Sequence, residues 1–127
     1  MLKILAVMAG GSIGAVCRYL LFLATQRLAW ASFPIGTLAA NLPASFLIGL
    51  LWSFFEGSKL TNEARLLIFT GFLGGFTTFS TFARETTQLF KVGEWKTALA
   101  YMGISNILGI VLVLAGYYIS RRYLIST

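Results

Sequence analysis

Four long apolar segments constrain the fold of this chain more than any other feature of its sequence. A helix needs about 20 residues to cross the hydrocarbon core of a bilayer, and each segment is long enough. The segments run approximately from Leu2 to Thr25, Phe33 to Phe55, Ala64 to Phe90 and Lys96 to Ile119, with short polar connectors between them. We therefore predict an all-α membrane protein in which residues 1–127 form a single domain of four transmembrane helices, with both termini on the same side.

The residue content agrees with a membrane location and argues against most enzyme classes. Charged residues make up 11% of the chain, whereas they make up about a quarter of an average soluble domain. The sequence contains no His, no Asp and one cysteine, Cys17. The common zinc, di-iron and nucleophile-triad sites therefore lack their residues, and we predict that the protein is not an enzyme.

The basic residues near the ends of the spans give only a weak signal for orientation. Lys and Arg in these positions normally decide which side faces the cytoplasm. Five lie on one predicted side and three on the other: Lys3, Lys59, Arg65, Arg121 and Arg122 against Arg27, Lys91 and Lys96. Two interpretations stay open, a single orientation with a weak signal or insertion in both orientations. The second would give two copies the inverted symmetry that many transporters encode in one chain.

A pathway through a single copy is unexpected for so small a bundle. Packed helices lie about 8 to 10 Å apart with side chains filling the gap, so four short helices enclose little space. We therefore expect an oligomer. Gly10 and Gly14 on the first span have the four-residue spacing of a close helix–helix interface, although any long membrane helix contains such pairs by chance.

The third span contains an unusual stretch, "TGFLGGFTTFSTF", from Thr70 to Phe82. Its glycines and threonines are weak helix formers. Lipid cannot satisfy backbone groups that a break would free, so a break there must be buried in protein or face water. Two readings follow: a continuous helix whose glycines admit a close neighbour, or a helix broken at mid-membrane that directs backbone carbonyls at a cation.

Phenylalanines and hydroxyl residues alternate after the glycines of this stretch. Phe76, Phe79 and Phe82 recur every third residue and so share one face of a helix. Phenyl rings offer a positive edge, and the hydroxyls of Thr77, Thr78, Ser80 and Thr81 can donate hydrogen bonds. Together these groups can replace the hydration shell of a small anion. The alternative is that the hydroxyls bond back to carbonyls of their own helix.

Other polar residues fall within the spans and need partners there. Asn41 carries an amide whose NH₂ is a natural anion donor. Tyr101 and Ser105 lie one turn apart on the fourth span, beside Asn106. Arg18 on the first span is costly unless it reaches a water-filled vestibule or pairs with Glu85.

These residues together resemble the Fluc (CrcB) family of microbial fluoride channels. The resemblance rests on "GTLAANL" in the second span, on "TGFLGGFTTFSTF" with Glu85 in the third and on Arg18 in the first, and it covers essentially the whole chain. It implies a homodimer of antiparallel subunits in the inner membrane of a prokaryote, inserted in both orientations. It also implies two passive fluoride pores and one structural sodium ion on the two-fold axis.

The resemblance also implies roles for individual residues. The backbone carbonyls of Gly74 and Thr77 would hold the sodium ion. Phe79 and Phe82 would line the pores, and Asn41 would contact fluoride. The remaining implied residues form a polar track, Ser80, Thr81, Tyr101 and Ser105, and a vestibule, Arg18 and Glu85.

Three positions depart from the usual family pattern, and two other functions compete. Pro43 follows "NL", Ala83 replaces a frequent serine, and Gly109 stands where some relatives carry a serine of the polar track. A small multidrug exporter would also have four helices and dual insertion, but that family relies on a carboxylate in its first helix, where this chain has Arg18 and no acid. The third possibility is an assembly subunit that transports nothing.

Overall fold

The computed structural model describes residues 1–26, 33–56 and 59–124, and every regular element in these ranges is helical. The connector position of Arg27, which enters the predicted charge bias, lies outside the described residues. We number the helices α1 (Leu2–Thr25), α2 (Ile35–Glu56), α3 (residues 62–76), α4 (Phe79–Lys91) and α5 (Trp95–Ile119). A short π-helical segment, Ser120–Leu124, continues α5.

The four predicted spans are confirmed as helices of sufficient length and apolarity to cross a membrane. The described residues contain four such spans: Leu2–Thr25, Ile35–Glu56, Asn62–Lys91 and Trp95–Leu124. Apart from the π-helical extension of α5, the predicted ends differ from the observed ends by at most two residues. Large apolar side chains point outward along these spans, with Ile107 65% exposed and Ile110 63% exposed. The protein is therefore a multi-pass membrane protein whose outer surface suits lipid or a partner subunit.

The third span consists of two helices that meet at a pair of extended residues. α3 begins with one α-helical turn capped by Thr61 and continues as a π-helical stretch, Leu66–Leu73. Thr77 has φ −88° and ψ 158°, and Thr78 has φ −151° and ψ 120°. The Thr78 hydroxyl then accepts a hydrogen bond from the Thr81 amide, 3.2 Å away, and so caps the first turn of α4. β-Branched threonines tolerate extended angles and supply a capping oxygen, so their place after the glycines explains where α4 starts.

α1 and α3 pack through glycines on both helices. A Cβ atom at Gly10 would overlap the backbone of Leu67, and one at Gly14 would overlap the backbone of Phe72. A Cβ atom at Gly75 would lie 2.6 Å from the Gly11 carbonyl oxygen of α1. Without side chains at these positions the two backbones approach closely, as small residues permit in membrane helices. The Gly10 and Gly14 pair predicted from spacing is therefore a contact inside the subunit.

α2 and α5 pack in the same way. A Cβ atom at Gly49 would overlap the Val113 carbonyl, and one at Gly116 would overlap the Phe46 carbonyl. One turn beyond each glycine, Ser53 and Ser120 are buried. Pro43 lies inside α2, which stays helical through it. The chain thus contains two closely packed helix pairs, α1 with α3 and α2 with α5.

Candidate functional site

The side-chain amide of Asn41 on α2 makes two hydrogen bonds to the backbone at the interruption of the third span. Its Oδ1 accepts a hydrogen bond of 3.1 Å from the Thr78 amide, and its Nδ2 donates one of 3.3 Å to the Thr78 carbonyl. A side-chain amide has one acceptor and one donor group, so a single Asn can satisfy both backbone groups of an extended residue. These two hydrogen bonds replace the helical bonds that Thr78 lacks, which explains how its extended backbone is tolerated inside an apolar segment.

The same hydrogen bonds leave two other backbone carbonyls without their usual helical donors. In a continuous α-helix the Thr78 amide would donate to Gly74, but here it donates to Asn41. The Thr81 amide would likewise donate to the Thr77 carbonyl, but it donates to the Thr78 hydroxyl. Gly74 and Thr77 are therefore among the positions where the interruption frees carbonyl oxygens.

A cavity of about 300 Å³ opens beside the interruption. Of its nine lining residues, only Ser45 and Ile48 were not named in the sequence analysis, and seven were: Asn41, Thr77, Thr78, Phe79, Phe82, Ser105 and Asn106. Ser45 and Ile48 follow Asn41 by four and seven residues, and the helical repeat puts these positions on one face of α2. That spacing was the available signal for the two lining residues that the sequence analysis missed.

Aromatic rings form a connected group at this cavity. The ring centroids of Phe79 and Phe82 are 5.8 Å apart, and those of Phe82 and Tyr101 are 4.9 Å apart. Phe33 contacts the other side of Tyr101 at 5.7 Å, edge to face. Phe76 does not join this group and stacks on Phe72 instead. The interruption therefore splits the stripe predicted for Phe76, Phe79 and Phe82.

The sequence analysis considered two roles for the hydroxyl residues: donors to an anion, or donors to carbonyls of their own helix. The hydroxyl residues of this stretch do not all behave alike. The Thr77 hydroxyl donates a hydrogen bond of 2.8 Å to the Leu73 carbonyl, one turn earlier in its own helix, as the second of these roles expects. Thr78, Ser80 and Thr81 instead form a local group, with Thr78 Oγ1 3.1 Å from Thr81 Oγ1 and 3.3 Å from Ser80 Oγ. Ser80 is exposed and lies next to the cavity residue Phe79 in the chain. This group presents several hydroxyls at one end of α4.

A second cavity, of about 240 Å³, is also lined by Thr78. Its lining residues come from three helices: Arg18, Tyr19, Phe22, Gly36, Thr37, Thr78, Thr81 and Arg84. Arg18 therefore lines a cavity, and its predicted place in a water-filled vestibule stays a prediction. Among the described residues Arg18 and Glu85 form no ion pair, and Glu85 Oε1 accepts a hydrogen bond of 2.5 Å from the Thr37 hydroxyl.

Tyr101 is fully buried near this carboxylate. Its ring packs between Phe33 and Phe82. Its hydroxyl lies close enough to Glu85 and Thr37 to interact with both, although neither contact has good hydrogen-bond geometry. Glu85, Thr37 and Tyr101 thus form a compact polar cluster that joins α2, α4 and α5.

A cation at this site would have to be held by backbone oxygens. Among the described residues, no group of three or more His, Cys, Asp or Glu side chains is placed to bind a metal ion. The carbonyls of Gly74 and Thr77 have lost their helical donors. Carbonyl oxygens suit hard cations, so the groups present fit an alkali ion and do not fit zinc or a similar metal.

Comparison with known proteins gives a consistent result over nearly the whole chain. The family model described as "CrcB-like protein, Camphor Resistance (CrcB)" matches residues 5–117. A protein of Desulfotalea psychrophila named "Fluoride-specific ion channel FluC" is 48% identical over 122 residues, which cover 96% of this chain and 94% of the relative. Proteins of the same name from Maridesulfovibrio salexigens and Pyrococcus furiosus are 43% and 42% identical, over 94% of this chain and 95% and 97% of their own lengths.

Proposed function

This chain belongs to the CrcB-like family, and from that premise we propose that it is a passive fluoride channel that lets a cell shed fluoride. The observation that carries the proposal is the cavity at the Thr77–Thr78 interruption, where Asn41, hydroxyl groups and two phenylalanine rings meet. The relatives named as fluoride channels supply the identity of the ion.

The lining of the cavity suits an anion that holds water strongly. A conducting site must offer substitute donors along a path, because one deep trap would not release the ion. The amide of Asn41, the hydroxyl of Ser105 and the edges of Phe79 and Phe82 are spread along the cavity wall. The polar track extends from there to Ser80, Thr81 and the Glu85–Thr37–Tyr101 cluster.

Two antiparallel subunits are part of this proposal, with one pore on each side of the dimer. Phe79 lines the cavity yet is 77% exposed in one subunit. A second copy packed against this face would cover the ring and complete the pore wall. The weak charge bias of the connectors supports insertion in both orientations, and we place the dimer in the inner membrane of a prokaryote.

The mid-membrane break and the sodium ion belong to the same proposal. The break would lie at Thr77 and Thr78, facing the partner and away from lipid, as buried backbone requires. The freed carbonyls of Gly74 and Thr77 from both subunits would hold one sodium ion on the two-fold axis. When bound, the ion would neutralise the carbonyl dipoles gathered at the subunit interface.

The multidrug-exporter alternative receives no support from the described residues. α1 contains Arg18 and no acidic residue, so it lacks the carboxylate on which that mechanism depends. An assembly subunit without transport remains a competing outcome that a flux experiment separates from a channel.

Purified protein in liposomes tests the proposal. Vesicles loaded with potassium fluoride and given a potassium ionophore, which balances the charge that fluoride carries out, should release fluoride at a rate that depends on the protein and that needs no proton gradient. Vesicles loaded with chloride provide the control and should release little. Absence of fluoride release from folded, reconstituted protein would overturn the proposal, and release that appears only with an imposed proton gradient would favour an exporter.

A further inference from the structure

Two serines near one end of the α2–α5 pair are buried without a hydrogen-bond partner for their hydroxyls among the described residues. Ser53 on α2 is 2% exposed, and Ser120, the first residue after α5, is 0% exposed. A hydroxyl that leaves water without gaining a new partner costs free energy, so native proteins pair nearly all such groups with protein atoms or ordered water. The two hydroxyls therefore indicate that a small polar molecule lies between them and the rest of the protein.

Other hydroxyl residues of the spans are satisfied within their own helices. They donate to the carbonyl four residues earlier, over 2.7 to 2.9 Å: Ser12, Ser45, Thr77, Thr86 and Thr87. This bond is a frequent arrangement for a hydroxyl in a membrane helix. Ser53 and Ser120 do not make it, although both lie in helical segments. Their partner must therefore come from outside their own turns.

The register of α2 and α5 brings the two serines to the same level of the seam between these helices. They belong to the second and fourth spans, and alternate spans run in the same direction. The backbones touch at Gly49 and Gly116, where a Cβ atom on Gly116 would lie 3.3 Å from the Gly49 carbonyl carbon. Ser53 and Ser120 each lie four residues, or about 6 Å, beyond these glycines on the same helix face. α2 also contacts the segment Ser120–Leu124 directly. The two hydroxyls therefore enter the seam from opposite sides.

Further contacts hold the two helices together beside the serines. Glu56 Oε2 accepts a hydrogen bond of 3.2 Å from the Tyr117 hydroxyl, and the rings of Trp52 and Tyr117 pack with their centroids 5.4 Å apart. The cavity at the interruption of the third span includes Ser45 but does not extend to Ser53. The seam at the serines is therefore enclosed by protein and separate from the proposed fluoride path.

We propose that Ser53 and Ser120 bind one buried water molecule that bridges α2 and α5. Water is small and neutral, and it both donates and accepts, so it can satisfy two hydroxyls at once without placing a charge inside the membrane. The carbonyls of Gly49 and Gly116, one turn before the serines, each have a second lone pair that can accept from the same water. An ion does not fit the site, because two neutral hydroxyls do not offset the loss of its hydration. The inference is independent of which ion the protein conducts.

Thermal unfolding of single and double alanine variants in detergent tests the bridge by the sign and the additivity of the changes. Ser53→Ala and Ser120→Ala should each lower Tm by about 3 °C or more, because each leaves the other hydroxyl and the water with a bond fewer. The double variant should lose clearly less than the sum of the two, since it removes both hydroxyls and leaves a dry apolar seam. Ser12→Ala is the matched control and should leave Tm unchanged, because the Ser12 hydroxyl is exposed and bonds within its own turn.

Two other patterns of Tm would overturn the bridge. If the seam is dry and both hydroxyls are unpaired, each alanine variant should raise Tm, because it removes a buried polar group that has no partner. If each hydroxyl turns to the carbonyl of its own helix, the losses should be small and additive.

A crystal structure that resolves ordered water separates a water bridge from a direct bond between the serines. It should show density for one water within about 3.2 Å of both Oγ atoms. A direct bond between the hydroxyls, with no density between them, would overturn the proposal even if the Tm changes are not additive. Fluoride release from liposomes by folded Ser53→Ala should equal that of the wild type, because the site lies outside the cavity at the interruption. A large loss of release in that variant would contradict a water that only joins the two helices.

Discussion

At the scale of single residues, Asn41 combines two tasks in one side chain. Its amide satisfies both backbone groups of Thr78 and also faces the cavity. A structural role and the proposed role in binding fluoride therefore meet in one side chain. The aromatic residues differ from it, because Phe79 is largely exposed in the subunit and Phe82 packs between two other rings.

Asn41→Asp should stop fluoride release and destabilise the subunit. An ionised carboxylate cannot donate to the Thr78 carbonyl and repels both that oxygen and an anion in the cavity. Leaving a buried polar group unpaired costs about 1 to 3 kcal/mol, which should appear as a lower Tm in detergent. Ser45→Ala is the matched control, because Ser45 lines the same cavity on the same helix but bonds only to the carbonyl of its own turn. Normal release by Asn41→Asp would exclude Asn41 from the pathway.

Phe79→Ile and Phe82→Ile should each reduce fluoride release at least about tenfold while the protein stays folded. Isoleucine keeps most of the bulk and apolarity but has no positive ring edge. Methionine at the same positions should reduce release less, because it is flexible and polarizable. Efflux rates and elution volume in detergent are the measurements. If both isoleucine variants release fluoride normally, the rings are packing and the anion path lies elsewhere.

At the scale of helices, glycines decide how the subunit is assembled. α1 meets α3 and α2 meets α5 through backbones that touch where glycines stand. Not every glycine serves this purpose: a Cβ atom at Gly103 would have nothing within 4 Å, and one at Gly74 would meet only the Phe69 carbonyl, at 3.7 Å. The subunit therefore has glycines that it needs for its own packing and glycines that it does not.

Gly116→Val should destabilise the subunit strongly, and Gly103→Val should not. A valine at Gly116 would overlap the Phe46 carbonyl, whereas one at Gly103 enters open space on the same helix. Overpacking of a close interface costs about 1 to 3 kcal/mol or more. Thermal unfolding in detergent should show a clear loss of Tm for the first variant alone. Similar Tm values for both would mean that α2 and α5 are not held at this crossing.

Gly74→Val and Gly75→Val separate subunit folding from dimer assembly. A valine at Gly75 would press on the Gly11 backbone and should impair folding of the subunit, while one at Gly74 has room inside it. If the Gly74 carbonyl holds sodium at the dimer axis, Gly74→Val should leave folded subunits that crosslink poorly and release no fluoride. A Gly74→Val protein that forms dimers and conducts normally would exclude this carbonyl from the proposed sodium site.

At the scale of the whole molecule, the exposed apolar surface and the cavity open at Phe79 both suit a second copy. The charge bias of five against three basic residues is small enough to permit both orientations in the membrane. Orientation is therefore the property on which the proposed antiparallel dimer most depends.

Lysines added to one connector should fix the orientation of the chain and abolish fluoride release. Positive residues near the ends of spans direct insertion, so several added lysines should outweigh the present bias. A copy fixed in the opposite orientation should restore release when the two are expressed together. Terminal tags should be found on both sides of the membrane for the unmodified chain. A single orientation for every unmodified copy, with release intact, would contradict the antiparallel dimer.

The sequence by itself determined the number and limits of the spans and the family to which the chain belongs. Span limits follow from apolarity and length against a bilayer of fixed thickness, which is a local property of the chain. The cavity residues Asn41, Phe79, Phe82 and Ser105 were also found from the sequence, because intramembrane polar residues and an unusual motif are visible without a fold.

Only the tertiary structure decided which faces of the helices meet. Residue spacing shows that Gly10 and Gly14 share a face of α1, but it does not show that this face packs on α3 inside the subunit. The extended angles at Thr77 and Thr78 shift the helical register, so Phe76 leaves the stripe that its spacing predicted. Arg84 reaches the cavity of Arg18 from another helix, a placement that no local pattern encodes. Periodicity fixes neighbours along one helix, whereas contacts between helices depend on rotation and depth, which packing of the whole bundle sets.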